Sequence, residues 1–306
     1  MQVLKYIQPG HLIAVVAPAG KVQSERIMPA IHWLENRGYR VWQGEHLFGS
    51  CFQYSGTDEE RTSDLQSALD NPEVKAIISA RGGYGTVRIV EKLSFDSFIK
   101  YPKWLVGFSD ITILHNICNR LGTPSLHGAM VRVGVGSDGI PTPGFLAMIE
   151  MLEGKQTRYE MIPNPLNRVG QETATLVGGN LSLLYSLIGT PFDLETTGKI
   201  LFIEEIGEYL YHTDRMMTSL RLAGKLEGLK GLVVGQFTDV KDNAEPFGKS
   251  VEEIIAGAVA GYDFPVCFGI QAGHGEPNLP MIFGNNWSLE VTGTGSVLRP
   301  VSNELN

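Results

Sequence analysis

At 306 residues the chain is too long for one typical core, so two domains are expected. Hydrophobic residues at 43% and charged residues at 19% describe a soluble globular protein, and a net charge of −8 without a basic tract excludes the usual nucleic-acid binders. Cys51, Cys118 and Cys267 are scattered, with neither zinc spacing nor a disulfide framework, which fits a reducing cytoplasm. The opening "MQVLKYIQPG" lacks the regions of a signal peptide, and no apolar run reaches membrane length, so no membrane partner is expected.

Residues 12–17, "LIAVVA", read as a strand that ends at Pro18-Ala19-Gly20. Ile27, Ile31 and Leu34 then mark a helix, with Gly38 as its stop. "YRVWQ" reads as a strand, and Thr57 with Glu60 forms a capping box for a helix carrying Leu65 and Leu69. "VKAIISA" is a buried strand that runs into Arg81-Gly82-Gly83-Tyr84-Gly85. "WLVGF" is another strand, followed by a helix with Ile111, Leu114, Cys118 and Leu121. Alternating β and α units imply a parallel sheet covered on both faces.

The pattern loosens over 154–170, where two prolines and several polar residues predict a linker. Beyond it, Asn180 caps a short helix ended by Gly189. "KILFIEEIG" is a strand, "DRMMTSLRLAG" a helix and "LKGLVVGQF" a strand. Ser250 with Glu253 caps a further helix, and Met281 to Leu298 reads as short strands with glycine turns.

Four places could carry chemistry. Ser109 stands where a strand stops and a helix starts, beyond the carboxyl end of a strand, where open α/β sheets bind ligands. It could be a nucleophile beside a helix N-terminus, or it and Asp110 could simply cap that helix. Ile111 breaks the G-x-S-x-G pattern, and on this stretch alone the cap is the simpler reading. The run Arg81 to Thr86 could supply an oxyanion-binding amide or be only a tight turn. It matches neither G-x-G-x-x-G nor a Walker lysine. Glu204, Glu205 and Glu208 lie within five positions, and Glu204 and Glu205 should face opposite sides of their strand. One should point inward and need a partner, whereas a solvated edge is the better reading for Glu205 and Glu208. His274 sits in a Gly/Pro loop after an apolar strand. Ser109, Glu204 and His274 follow the order nucleophile, acid, base, which is compatible with a hydrolase but not diagnostic.

Taken together, "PGHLIAVVAPAG", "GTDEERTSDLQSALDNPEVKAIISARGGYGTVRIV", "VGFSDITILH", "LHGAM", "LVGGNLSLL", "LFIEEIGEYLYHTDRMMTSL" and "GIQAGHGEPNLPMIFG" resemble the LD-carboxypeptidase family of serine peptidases over nearly the whole chain. Muramoyltetrapeptide carboxypeptidases and microcin-immunity peptidases are members of that family.

The resemblance implies Ser109 as nucleophile, Glu204 as acid and His274 as general base, with the amides of Gly83 and Asp110 as the oxyanion hole. It implies an N-terminal Rossmann-like α/β domain over 1–153, the linker 154–170, and a smaller β-rich domain over 171–306. The active site would lie in the cleft between them. It also implies a homodimer with no cofactor and no metal, in the cytoplasm that the cysteine pattern suggests. The substrate would be a murein tetrapeptide that loses its terminal D-alanine. A microcin-type immunity peptidase acting on a peptidyl-nucleotide antibiotic is the alternative within the family, and a non-catalytic ligand-binding protein the alternative outside it. Two departures touch specificity: Leu210-Tyr211-His212 where members often show Pro-Tyr-Arg, and Ala129 where a proline is common.

Overall fold

A computed structural model describes residues 4–301, and the chain separates into two compact units. The first comprises residues 4–155 together with Pro277–Ile282, and the second comprises Gln156–Glu276 and the residues from Phe283 onward.

The first unit is built on a six-stranded sheet. Its order is Met281–Phe283, Ser125–His127, Trp104–Gly107, Val74–Ser79, Leu12–Val16 and Arg40–Gln43. The five strands from Ser125–His127 onward pair in parallel. Every residue of Leu12–Val16 and Trp104–Gly107 is buried, as expected of parallel strands covered on both faces. Helix Ser24–Asn36 turns Ile27, Ala30, Ile31 and Leu34 inward. Helix Asp58–Asp70 starts at the capping box anticipated from its sequence: Glu60 N donates to Thr57 Oγ1 at 3.2 Å, and Thr57 N donates to Glu60 Oε2 at 2.7 Å.

The second unit holds a seven-stranded sheet in the order Val266–Phe268, Gly231–Thr238, Ile200–Ile206, Gly170–Asn180, Asn286–Thr292, Gly295–Pro300 and Tyr159–Met161. The first four strands are parallel and the remaining pairings antiparallel. The eleven-residue strand Gly170–Asn180 belongs to both halves of this sheet. Helix Val251–Ala258 begins at the Ser250–Glu253 capping box, and Asn180 accepts from Leu183 N to start helix Leu181–Ser186.

Three features differ from the sequence reading. Met281–Phe283 joins the first sheet rather than a C-terminal domain over 171–306: it is the edge strand beside Ser125–His127, and all three of its apolar residues are buried there. The expected linker 154–170 contains strand Tyr159–Met161, and Arg168 pairs with Val266, so most of it is part of the second unit. The helix expected from Asp214 starts at Leu210, with Tyr209 at its N-cap.

Candidate active site

In the first unit, Ser109 follows strand Trp104–Gly107 and opens a 3₁₀ turn, Ser109–Ile111, that leads into helix Thr112–Arg120. Its φ is +63°, a left-handed conformation that costs a non-glycine residue about 1–2 kcal/mol. Such strain persists only where the surroundings fix it, and it gathers at functional sites. Phe108 and Ile111, not Ser109, take the N-cap positions of the 3₁₀ turn and of the helix after it, and neither makes a side-chain cap bond. The Asp110 carboxylate is also spent elsewhere: its Oδ2 accepts from Thr86 N at 2.8 Å, at the start of the next helix back in the chain. Burial raises the pKa of Asp110, against the opposing influence of Thr86 and Arg61.

The glycine turn lies directly against the serine. A Cβ added to Gly82 would stand 3.1 Å from Ser109 Cβ and 3.2 Å from Ser109 Oγ, so any side chain there would crowd the hydroxyl. Gly83 follows at φ +104°. The turn is tied down by Arg61, which is 1% exposed. Its Nη1 donates to Gly85 O at 2.9 Å and to Pro18 O at 2.5 Å, and its Nη2 meets Asp58. The guanidinium also lies 4.8 Å from the Tyr54 ring centroid. Arg61 shares a helical face with Leu65 and Leu69, and a cation on that apolar stripe was the signal that could have revealed it.

His115, nearby in sequence, is structural. Its Nε2 faces Gly107 O at 2.9 Å and its Nδ1 faces Ser125 Oγ at 2.8 Å. A carbonyl only accepts, so Nε2 carries the proton. Burial pushes the ring's pKa down to about 4, which keeps it neutral.

In the second unit, Glu204 Oε2 lies 2.6 Å from His274 Nδ1. Glu204 is fully buried, and the His274 side chain is 14% exposed. Burial pulls the imidazole pKa down, but the bond to Glu204 and the charges of Glu204 and Glu205 outweigh it, and the net shift is upward. With Nδ1–H given to the carboxylate, Nε2 holds the lone pair of the neutral ring, the tautomer a general base needs.

The loop around His274 depends on two glycines. A Cβ on Gly273, at φ +130°, would come within 2.9 Å of Glu204 Oε2, and one on Gly275 would strike the Gln236 side chain at 2.6 Å. Gln236 fixes the loop at both ends: its N donates to Ala272 O at 2.9 Å, and its Oε1 accepts from Gly275 N at 2.9 Å.

Glu205 is not at a solvated edge. It is 2% exposed and accepts from Asn180 Nδ2 at 2.8 Å, Ser182 N at 2.7 Å and Ile206 N at 2.9 Å. Strand Ile200–Ile206 is central and covered on both faces, and its pairing with Gly231–Thr238 shifts register between Ile203 and Glu205. Burial raises the Glu205 pKa. Glu208 is only partly exposed, and His212 Nδ1 lies 2.5 Å from its Oε2.

Among the described residues no group of three or more His, Cys, Asp or Glu could hold a metal ion. Among them, no helix is long and apolar enough to cross a membrane.

Comparison with known proteins identifies the family. The LD-carboxypeptidase N-terminal domain matches residues 13–128 and the LD-carboxypeptidase C-terminal domain matches residues 173–289. The "Probable murein peptide carboxypeptidase" of Bacillus subtilis is 33% identical, over 92% of this chain and 89% of its own. The murein tetrapeptide carboxypeptidase of Pseudomonas aeruginosa is 28% identical, over 91% of this chain and 92% of its own. The crystal structure of muramoyltetrapeptide carboxypeptidase from Oxalobacter formigenes superposes with a TM-score of 0.85 at 28% identity, covering 95% of this chain and 99% of that one. The chain therefore belongs to the LD-carboxypeptidase family.

Proposed function

We propose that the protein is a serine LD-carboxypeptidase that removes the C-terminal D-alanine from murein tetrapeptides, with Ser109, His274 and Glu204 acting as one catalytic triad. The observation that carries this reading is the 2.6 Å bond between fully buried Glu204 and His274 Nδ1. The names of the similar murein carboxypeptidases support the substrate.

His274 Nε2 takes the Ser109 proton, and Oγ attacks the carbonyl between the L-configured centre and the D-residue. The amides of Gly83 and Asp110 receive the developing oxyanion. His274 returns the proton to the departing D-alanine amine, leaving an acyl-enzyme. It then draws a proton from water, which attacks the ester and frees the tripeptide. Glu204 holds the ring's tautomer and stabilises the imidazolium in both steps. By family resemblance the protein works as a homodimer, and its scattered cysteines fit a reducing cytoplasm.

Incubation with murein tri-, tetra- and pentapeptides, followed by mass spectrometry, tests the substrate. D-alanine released from the tetrapeptide, with the tripeptide left intact, is the expected result. A tetrapeptide that stays uncut would overturn the reading.

A further inference from the structure

A second feature lies at the carboxyl ends of the first sheet. It is a cavity of about 480 Å³ with Lys21, Arg26, Arg81 and Arg132 in its wall. Phe48, Gly49 and Ser50 also line it, and no acidic residue does. The four cations come from three separate connections in the chain. Lys21 and Arg26 follow strand Leu12–Val16, Arg81 follows Val74–Ser79, and Arg132 follows Ser125–His127. In the sheet, Arg40–Gln43 and Val74–Ser79 flank Leu12–Val16 on opposite sides. The chain reverses its direction of travel across the sheet there, the position at which α/β folds receive ligands.

Among the described residues, none of these four cations forms an ion pair with a carboxylate. Yet they are held close together. Arg81 Nη1 donates to Lys21 O at 2.9 Å, and Arg132 N donates to Ala80 O at 2.9 Å. Burial, with the charges of Arg81 and Arg26, pushes the Arg132 pKa down. Like charges gathered without a counter-charge cost the empty protein stability and are neutralised by an anionic guest. Arginine suits a carboxylate in particular, because its planar fork can bond both oxygens.

Two of the cavity's lining residues are chain neighbours of residues packed against the serine. Arg81 immediately precedes Gly82, whose added Cβ would stand 3.2 Å from Ser109 Oγ. Met130, two residues before Arg132, brings its Cε within 3.4 Å of the same point.

We propose that this cavity is a carboxylate-binding subsite, in which Arg26, Arg81 and Arg132 hold free carboxylates of the peptide while Ser109 meets its scissile amide. The inference rests on the peptidase reading above. It gives the first unit a specificity role as well as the nucleophile. Two kinds of carboxylate could fill the site: the terminal one of the departing D-residue, or those of acidic residues within the peptide.

The test uses full-length wild type, Arg26→Gln/Arg132→Gln and Arg132→Lys, with melting temperatures compared first. Each is assayed on three tetrapeptides: the free acid, one with a terminal carboxamide, and one with its internal carboxyls amidated. The double variant should raise KM for the free acid by roughly 10- to 100-fold, the scale of a lost charge-assisted bond, with kcat nearly kept. Arg132→Lys should lie between, and added salt should raise the wild-type KM. The penalty should vanish on whichever amidated peptide lacks the bound carboxylate, which identifies its source. A wild-type KM in the double variant, or an equal rise on all three peptides, overturns the subsite.

If wild type cuts none of these peptides, the peptidase reading fails by itself, and the cavity is judged by calorimetry with citrate at low salt. Citrate heat in wild type that the double variant lacks supports an anion site. Equal heats, or none, overturn it.

Discussion

In the first unit, backbone geometry holds the candidate nucleophile: Ser109 sits at φ +63°, with bare Gly82 against its hydroxyl and Arg61 binding the carbonyls of Pro18 and Gly85. In the second unit, a side-chain charge holds the candidate base: fully buried Glu204 lies 2.6 Å from His274 Nδ1, with Gln236 steadying the loop. The two regions should therefore fail differently. Damage to the first should misplace an atom and leave proton affinities alone, whereas damage to the second should change the affinity of the imidazole for its proton.

The largest effect belongs to Ser109→Ala, which should lower kcat by about 10⁴-fold or more with little change in melting temperature. Near wild-type turnover of the tetrapeptide would remove Ser109 from the chemistry. Glu204→Gln should follow, at about 10³- to 10⁴-fold in kcat. Its pH profile has a definite sign. The base must be neutral, so kcat/KM falls as pH drops through the raised pKa of His274. Without the Glu204 charge, the lowering effect of burial prevails, and this acid limb should move to lower pH. Stability is linked to the same group. Protonated His274 stabilises the wild-type fold below the ordinary imidazole pKa, and that contribution is lost as pH rises through the raised value. Melting temperature measured against pH should show this slope in wild type and lose it in Glu204→Gln.

A pair of glycine substitutions sharpens the contrast. In Gly82→Ala the new methyl presses on Ser109, and kcat should fall roughly 10- to 100-fold, the scale of a sub-ångström to 1 Å misplacement, with the acid limb unmoved. In Gly273→Ala the methyl strikes Glu204 Oε2 from a backbone that disfavours alanine. That variant should lose about 1–3 kcal/mol of stability, and its acid limb should shift. If both variants shift the limb alike, the division between steric and electrostatic support is wrong.

The smallest catalytic effect should come from Glu205→Gln. Its carboxylate takes three hydrogen bonds from Asn180, Ser182 and Ile206, so replacing an acceptor oxygen with an amide group should cost about 1–3 kcal/mol in denaturant unfolding. Its kcat should stay within several-fold of wild type. A dead enzyme with unchanged stability would exchange the roles assigned to Glu204 and Glu205.

Features written locally were legible in the sequence. Both capping boxes, at Thr57–Glu60 and Ser250–Glu253, form as their spacing predicts, and Leu12–Val16 is buried throughout as its β-branched run implies. Features set by distant partners were not. Alternation along the strand puts Glu204 and Glu205 on opposite faces but says nothing of what covers each face, so the spacing leaves Glu205 at a solvated edge where the structure buries it. Met281–Phe283 looks like any short apolar strand, and its place beside Ser125–His127 depends on pairing across more than 150 residues of chain. Arg61 and Gln236 bind backbone groups far away in sequence; a cation on an apolar stripe hints at Arg61, whereas nothing local marks Gln236 for that work. The roles of Ser109, Glu204 and His274 came from family resemblance, since their order in the chain alone suits many hydrolases.

The central claim is that His274, with Glu204, activates Ser109. The most direct measurement is the rate at which a fluorophosphonate, a reagent that labels activated serines, phosphonylates Ser109 in wild type and in His274→Ala, read by peptide mass spectrometry. The account predicts labelling of Ser109 in wild type and a rate lower by about 10³-fold or more in His274→Ala, because the serine loses its base. Equal labelling rates in the two proteins would contradict it.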